Sequence, residues 1–183
     1  MKKVFALLLV LVLALGMLSG CANKAPDSKD TAAPAEKAAA GLPEGITVEE
    51  KDGLTIYTDL KHSPFEASGL KITVKKGDGG YVKFVKTDLE GRETVDYYTF
   101  DCSKNLLEKY YYVSAMGSAY YYYYDLGKKE LYKVEDQDHK DITQTMKDSN
   151  RIESAKTKIE GEIDALENYY KTQFGKAIAE AVL

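Results

Sequence analysis

Apolar and polar residues alternate along the chain over residues 46–135. Leu70, Ile72 and Val74 alternate with lysine and threonine, which is the period-two pattern of a strand that buries one face. Turn residues, such as the glycines of residues 77–80, interrupt the pattern at intervals of roughly 10 residues. Because antiparallel neighbours need only short hairpins, this spacing predicts an antiparallel meander of about seven or eight strands.

The period of the apolar positions changes to three or four residues near Asn150. Such a stripe marks the buried side of an amphipathic helix, and Asn150 and Glu153 stand at the spacing of a capping pair. We therefore predict one long helix over residues 149–181, with Gly161 or Gly175 as the place where it would bend or break. The stripe consists of Ile152, Ala155, Ile159, Ile163, Leu166, Tyr170, Phe174, Ile178 and Ala181.

The fold class that these two patterns indicate is α+β. An antiparallel sheet must bury its apolar face, either by curving into a barrel or half-barrel or by packing on the helix. We expect a curved or barrel-like meander, with the long C-terminal α-helix covering one face or one opening.

Tyrosines are concentrated in the second half of the predicted sheet, where eleven of the fifteen lie between Tyr97 and Tyr132. Five are consecutive, at residues 120–124, and successive side chains of a strand point to opposite faces. If the predicted strands 109–115 and 119–126 pair, tyrosines also stand opposite tyrosines, and such pairs stabilise a sheet without any ligand. Both faces of the second strand would then be aromatic.

Two explanations account for aromatic residues on both faces of one strand. Either both faces are covered and the tyrosines are structural, or one face is exposed and binds a ligand or partner. Tyrosine suits binding because it combines a large ring with a hydroxyl at a low cost in conformational entropy. The candidate ligand-binding residues are Tyr111, Tyr121 and Tyr123. A sugar-stacking surface is less favoured, because the chain has no tryptophan.

The first 21 residues carry an export signal. Lys2 and Lys3 precede an uncharged apolar stretch that is too short for a comfortable membrane span and is typical of a secretory signal. The sequence LSGC at residues 18–21 resembles the lipobox of bacterial lipoproteins. The resemblance implies that residues 1–20 are a signal peptide and that Cys21 receives a diacylglycerol and becomes the first mature residue. The alternative is an ordinary signal peptide with a chance cysteine.

The resemblance also implies a location outside the cytoplasm, on the cell membrane. In a cell with two membranes, the lipoprotein family sorts by the residue after the cysteine, and Ala22 is compatible with the outer membrane. The sequence leaves open whether the cell has one membrane or two.

Residues 21–45 are predicted to be the lipidated cysteine and a disordered tether, which leaves residues 46–183 as one α+β domain. The tether is rich in alanine and proline, so it cannot bury enough apolar area to offset its ordering entropy. Removing residues 1–20 removes two lysines and changes the formal net charge from −4 to −6. An acidic mature chain argues against nucleic acid as a partner.

The sequence contains no motif for catalysis or for metal or cofactor binding. His62 and His139 stand outside metal-binding spacings. Cys102 is a single thiol, expected to be half-buried at a strand end, and the acidic stretch 135–141 is expected to be a solvated loop rather than a cation site. We therefore expect no enzyme activity, no metal and no cofactor.

Three functions remain, in descending order of preference. The first is a binding or accessory module that presents the tyrosine-rich surface to an envelope protein, a peptide or a small apolar ligand. The second is a structural or assembly protein of the envelope that associates through the C-terminal helix. The third is an enzyme, which would need a cleft with a shifted acid, or His62 beside a second titratable group.

Overall fold

Eight strands follow one another as neighbours in one antiparallel sheet of the computed structural model, which describes residues 41–183. The strand order is the chain order, so the predicted meander is confirmed. β1 and β8 are the two edges and do not pair, so the sheet is open rather than closed into a barrel. The strands are β1 Ile46–Lys51, β2 Leu54–Asp59, β3 Gly69–Lys75, β4 Tyr81–Thr87, β5 Glu93–Asp101, β6 Leu106–Val113, β7 Ser118–Asp125 and β8 Glu130–Asp136.

The chain enters β1 through a turn formed by the end of the predicted tether. Ile46 N donates a hydrogen bond to Pro43 O at 3.2 Å, and Glu44 forms an ion pair with Lys61 at 2.9 Å. Cys21, the predicted signal peptide and the rest of the predicted tether lie outside the described residues.

Two α-helices and a 3-10 helix cover one face of the sheet, as predicted for the C-terminal segment. Apolar residues of the longest helix pack on the strands, and the Tyr170 ring meets Phe84 edge-on at 6.0 Å. The 3-10 helix contacts the turn between β3 and β4, where Gly77 N donates a hydrogen bond to Val182 O at 2.8 Å. The elements are α1 Thr143–Asp148, α2 Ile152–Phe174 and the 3-10 helix Ile178–Val182.

The C-terminal segment is divided where the sequence predicted one helix over residues 149–181. Asn150 adopts a φ of 56° and separates α1 from α2, so its prediction as the N-cap is wrong. The residue before α2 is Arg151, and no side chain caps that end. Gly175 ends α2 with a left-handed φ of 71°, at one of the two predicted break positions. The six residues of α1 are too few to show a helical period in the sequence.

The register of the sheet defines its two sides. We call the side against α2 the helix face and the opposite side the outer face. Residues directly opposite in paired strands share a face, so the helix face includes Ile72, Phe84, Tyr98 and Lys109. Its buried apolar residues form the core with Ile159, Leu166, Tyr169 and Tyr170 of α2.

Asp59, at the end of β2, is a buried carboxylate that ties the sheet to α2. Its side chain is fully buried, and one oxygen accepts hydrogen bonds from the backbone N–H groups of Lys61 at 2.9 Å and His62 at 3.0 Å. Its other oxygen accepts the Tyr169 hydroxyl at 2.8 Å. Burial first, and then this hydrogen bond, raise the pKa of Tyr169, so the hydroxyl keeps its proton at an alkaline pH where an exposed tyrosine would ionise.

Candidate functional site

β7 divides its five consecutive tyrosines between the two faces, as the period-two rule predicts. Tyr120, Tyr122 and Tyr124 lie on the helix face, where the Tyr124 hydroxyl donates to Glu160 of α2 at 2.7 Å. The remaining two, Tyr121 and Tyr123, lie on the outer face, which no helix within residues 41–183 covers. Tyr124 is buried and Tyr120 to Tyr123 are partly buried, so the helices cover the helix face and the outer face stays partly exposed to solvent.

Tyr97, Tyr110 and Tyr121 form a continuous row of rings across β5, β6 and β7. They stand directly opposite one another, with ring centroids 5.4 Å apart in the first pair and 4.9 Å apart in the second. Lys83 Nζ lies 4.1 Å from the Tyr97 ring centre, and the His139 ring lies 4.5 Å from that of Tyr121. Because the rings contact one another and both ends are occupied, a ligand would meet ring edges and hydroxyls here.

Two glutamates of the outer face accept hydrogen bonds from tyrosine hydroxyls. The Tyr97 hydroxyl donates to Glu108 Oε1 at 2.8 Å, and the Tyr123 hydroxyl donates to Glu135 Oε2 at 2.9 Å. Burial first, and then these hydrogen bonds, raise the pKa of both phenols. Lys133 pairs with Glu135, and this contact is the largest cause that lowers the pKa of Glu135.

A β-bulge in β8 adds another tyrosine to the outer face. Tyr123 pairs with Lys133 while Tyr124 pairs with Leu131, so Tyr132 is the extra residue between them. Tyr132 is 43% exposed, and its ring centroid lies 6.4 Å from that of Tyr123. We call the following five residues the outer tyrosine face: Tyr97, Tyr110, Tyr121, Tyr123 and Tyr132.

A cavity of about 280 Å³ opens beside the last two members of the outer tyrosine face. The side chains of Tyr123 and Tyr132 form one part of its wall. Polar groups lie in the same wall, so the cavity offers both aromatic contact and charge. The other wall residues that matter here are Thr99, Asp101, Lys104, Leu106 and Glu108.

Tyr111, the third predicted binding residue, lies on the other side of the sheet. It stands opposite Tyr120 on the helix face, and two ammonium groups approach its ring, Lys158 Nζ at 4.8 Å and Lys109 Nζ at 5.4 Å. The structure therefore brings Tyr121 and Tyr123 together and separates Tyr111 from them.

The sequence reasoning missed several residues of this site for identifiable reasons. Tyr97 and Tyr110 were missed because their positions opposite Tyr121 depend on the register of β5, β6 and β7, which alternation within one strand does not give. Glu108 was missed because β6 was predicted to begin at residue 109, whereas it begins at Leu106. The bulge that exposes Tyr132 left no signal in the sequence.

His62 lies beside a second titratable group, the pairing that the enzyme hypothesis required. Its Nδ1 is 3.1 Å from Asp59 Oδ1. Asp59, however, is buried and already accepts hydrogen bonds from two backbone N–H groups and from Tyr169. The pair therefore has a structural role, which is to fix the loop after β2 against α2.

The other candidates from the sequence also form local structural contacts. Cys102 is half-buried immediately after β5, as predicted, and burial raises the pKa of its thiol and disfavours the reactive thiolate. In the acidic stretch 135–141, Asp136 Oδ1 accepts the backbone N–H groups of Asp138 and Lys140, both at 3.0 Å. Within the described part of the chain, no three His, Cys, Asp or Glu side chains are grouped as metal ligands.

Comparisons of the chain with protein-family models, with curated proteins and with solved structures find no match. Between residues 41 and 183, no helix combines the length and the apolar character that a membrane span requires. The outer tyrosine face must therefore be interpreted from its own geometry.

Proposed function

We propose that this protein is a lipid-anchored, extracytoplasmic binding module that holds a ligand or an envelope partner on its outer tyrosine face. The observation that carries the proposal is the clustering of Tyr97, Tyr110, Tyr121 and Tyr123 on the side of the sheet opposite the helices. An antiparallel sheet with one solvated face ordinarily presents polar residues there. Tyrosine is enriched at binding surfaces because one end of its ring is apolar and the other is polar.

The anchor in this proposal rests on the LSGC sequence at residues 18–21. Each buried methylene of an acyl chain contributes about 0.8 kcal/mol, and two chains hold a protein stably on a membrane. The tether would then separate the sheet from the lipid surface and leave its outer face accessible to molecules of the envelope.

Replacing Cys21 by Ala is expected to abolish lipidation and to move the protein from the membrane fraction to the soluble fraction. The reason is that the substitution removes the thiol that would carry the diacylglycerol. Mass spectrometry of the native protein, with fractionation of both forms, measures the effect. A native protein that retains residues 1–20, or whose Cys21 is unmodified, would refute the anchor.

Replacing Tyr121 or Tyr123 by Ser is expected to weaken ligand binding at least tenfold, about 1.4 kcal/mol. Each change removes a ring from the centre of the outer tyrosine face. Fluorescence quenching of the mature protein against fractionated envelope peptides and metabolites provides the measurement. Tyr81→Ser is the matched control, because Tyr81 is also on the outer face but lies on β4, outside the cluster. Equal affinities for all three variants would contradict the proposal.

The assembly and enzyme alternatives stay hypotheses without a contact in their favour. The apolar residues of α2, including Ile159 and Leu166, are buried against the protein's own sheet. A helix that associates with another protein would have to do so through its remaining, more polar surface.

A further inference from the structure

The outer face contains two tyrosine–glutamate pairs that differ in whether the carboxylate has an ion-pair partner. In the first pair, Glu135 accepts the Tyr123 hydroxyl and also binds Lys133, whose Nζ lies 5.3 Å from the Tyr123 ring centre. In the second pair, Glu108 accepts the Tyr97 hydroxyl through Oε1. Within residues 41–183, Glu108 has no ion-pair partner. Lys83 Nζ lies 4.1 Å from the Tyr97 ring centre, but it forms no ion pair with Glu108, so the carboxylate of Glu135 is paired with an ammonium group and that of Glu108 is not.

Glu108 lies in the wall of the 280 Å³ cavity, together with Tyr123 and Tyr132. The second acidic group of the cavity, Asp101, is already paired, since its Oδ2 lies 2.7 Å from Lys104 Nζ. Asp101 and Lys104 neutralise each other, so the wall retains the single negative charge of Glu108. A ligand with one positive charge would complement it.

We propose that this cavity binds the ammonium group of a small organic monocation, held between Glu108 and the rings of Tyr123 and Tyr132. The inference rests on the proposed function, because it names the ligand class of the same surface. A cation near a tyrosine face is attracted by the negative charge of the ring, and a carboxylate is the strongest acceptor for an N–H donor. The protein contains the same kind of contact elsewhere on this face, where the ammonium group of Lys133 lies beside the carboxylate of Glu135 and the ring of Tyr123.

The size of the cavity restricts the ligand further. A volume of about 280 Å³ lies just below the usual range of small-molecule sites, which is roughly 300–1,000 Å³. It accommodates an alkylammonium group with a short chain, whether this belongs to a free amine or to a lysine side chain of a peptide. Leu106 and the two tyrosine rings supply the apolar contact for that chain.

The test is a titration of the mature, lipidated protein in non-ionic detergent with n-butylammonium chloride at constant ionic strength. Tyrosine ring signals in nuclear magnetic resonance spectra report binding at Tyr123 and Tyr132, and calorimetry gives the affinity. We expect saturable binding of n-butylammonium and at least tenfold weaker binding of n-butanol and of butyrate. A blocked Gly-Lys-Gly peptide forms a second arm, and tighter binding of the peptide than of n-butylammonium would assign the ammonium group to a protein partner.

Glu108→Gln is expected to weaken n-butylammonium binding at least tenfold, because it removes the charge and keeps the shape. Glu93→Gln is the matched control. Glu93, in β5, is also a glutamate of the outer face, but it already forms an ion pair with Lys71 at 2.7 Å. Tyr132→Phe should retain binding, because the ring remains, whereas Tyr132→Leu should weaken it at least threefold.

Unchanged affinity in Glu108→Gln, or equal affinity for n-butanol and n-butylammonium, would overturn the assignment of an ammonium ligand. This outcome is separable from failure of the proposed function, because the Tyr121→Ser variant in the test of that function changes a residue outside the cavity wall. If Glu108→Gln loses n-butylammonium binding while Tyr121→Ser keeps its binding of envelope ligands, the cavity is supported as an ammonium site. The same result contradicts ligand binding by the whole outer tyrosine face.

Discussion

Replacing Glu162 by Ala is expected to lower the free energy of unfolding by about 3–5 kcal/mol. Glu162 of α2 forms the ion pair with Lys109, whose side chain is 4% exposed on the helix face. Three tyrosine rings, those of Tyr98, Tyr111 and Tyr122, lie within 6 Å of its Nζ, at 5.4, 5.4 and 5.9 Å. Desolvation already lowers the pKa of Lys109, and Glu162 is the charge that opposes this effect. Without Glu162, folding must bury an unpaired ammonium group or remove its proton.

Urea unfolding followed by circular dichroism measures the loss, and Asp164→Ala on the same helix is the control. Asp164 is exposed, so its removal should change stability by no more than about 0.5 kcal/mol. The double variant Lys109→Met and Glu162→Leu should recover most of the stability, because apolar residues of similar volume often replace a buried ion pair without loss. A double variant no more stable than Glu162→Ala would contradict the unpaired charge as the cause.

The alternation of residues predicted most of the sheet because each strand has only two faces. Leu70, Ile72 and Val74 are all buried on the helix face, and the tyrosines of residues 120–124 divide between the faces as expected. The open edge of the sheet was not predictable in the same way. Whether β1 meets β8 depends on twist and curvature, which accumulate over all the strands and have no signature in any one of them.

The candidate site was predictable only in part, because it depends on register rather than on alternation. Tyr121 and Tyr123 were placed on one face correctly relative to each other. Tyr111 was wrongly predicted to lie with them, because alternation within a strand does not fix its register against the next strand, and the register of β6 and β7 puts Tyr111 opposite Tyr120. The cavity depends on the bulge at Tyr132, which shifts the register by one residue late in the sheet.

Buried tyrosines of the helix face and of α2 make the fold sensitive to alkaline pH. Tyr98, Tyr169 and Tyr170 are 1%, 4% and 1% exposed, and burial is the largest cause that raises the pKa of each. Burial also raises the pKa of Tyr122 to about 12. In the unfolded chain a tyrosine titrates near pH 10. Above that pH the folded state therefore holds more protons than the unfolded state, and stability falls as pH rises.

Tyrosine ionisation is accordingly expected to leave stability unchanged between neutral pH and about pH 10, and the protein is expected to unfold cooperatively within roughly 1–3 pH units above it. Each buried tyrosine lowers the free energy of unfolding by up to about 1.4 kcal/mol per pH unit in this range, so three lower it by about 4 kcal/mol per pH unit. A typical domain is stable by only about 5–15 kcal/mol. Ultraviolet absorbance of tyrosinate and circular dichroism, recorded in one titration, should change together because ionisation requires unfolding.

Two substitutions to phenylalanine distinguish unfolding coupled to tyrosine ionisation from general alkaline damage to the protein. Tyr170→Phe removes one buried titrating group, and the Tyr170 hydroxyl makes no hydrogen bond within the described residues, so the midpoint of alkaline unfolding should rise. Tyr112→Phe, at a position that is 39% exposed, should leave the midpoint unchanged. Tyrosinate absorbance that rises gradually from pH 10 while the circular dichroism stays native would show that the buried hydroxyls ionise without unfolding. That result would contradict the assignment of these tyrosines to a rigid core.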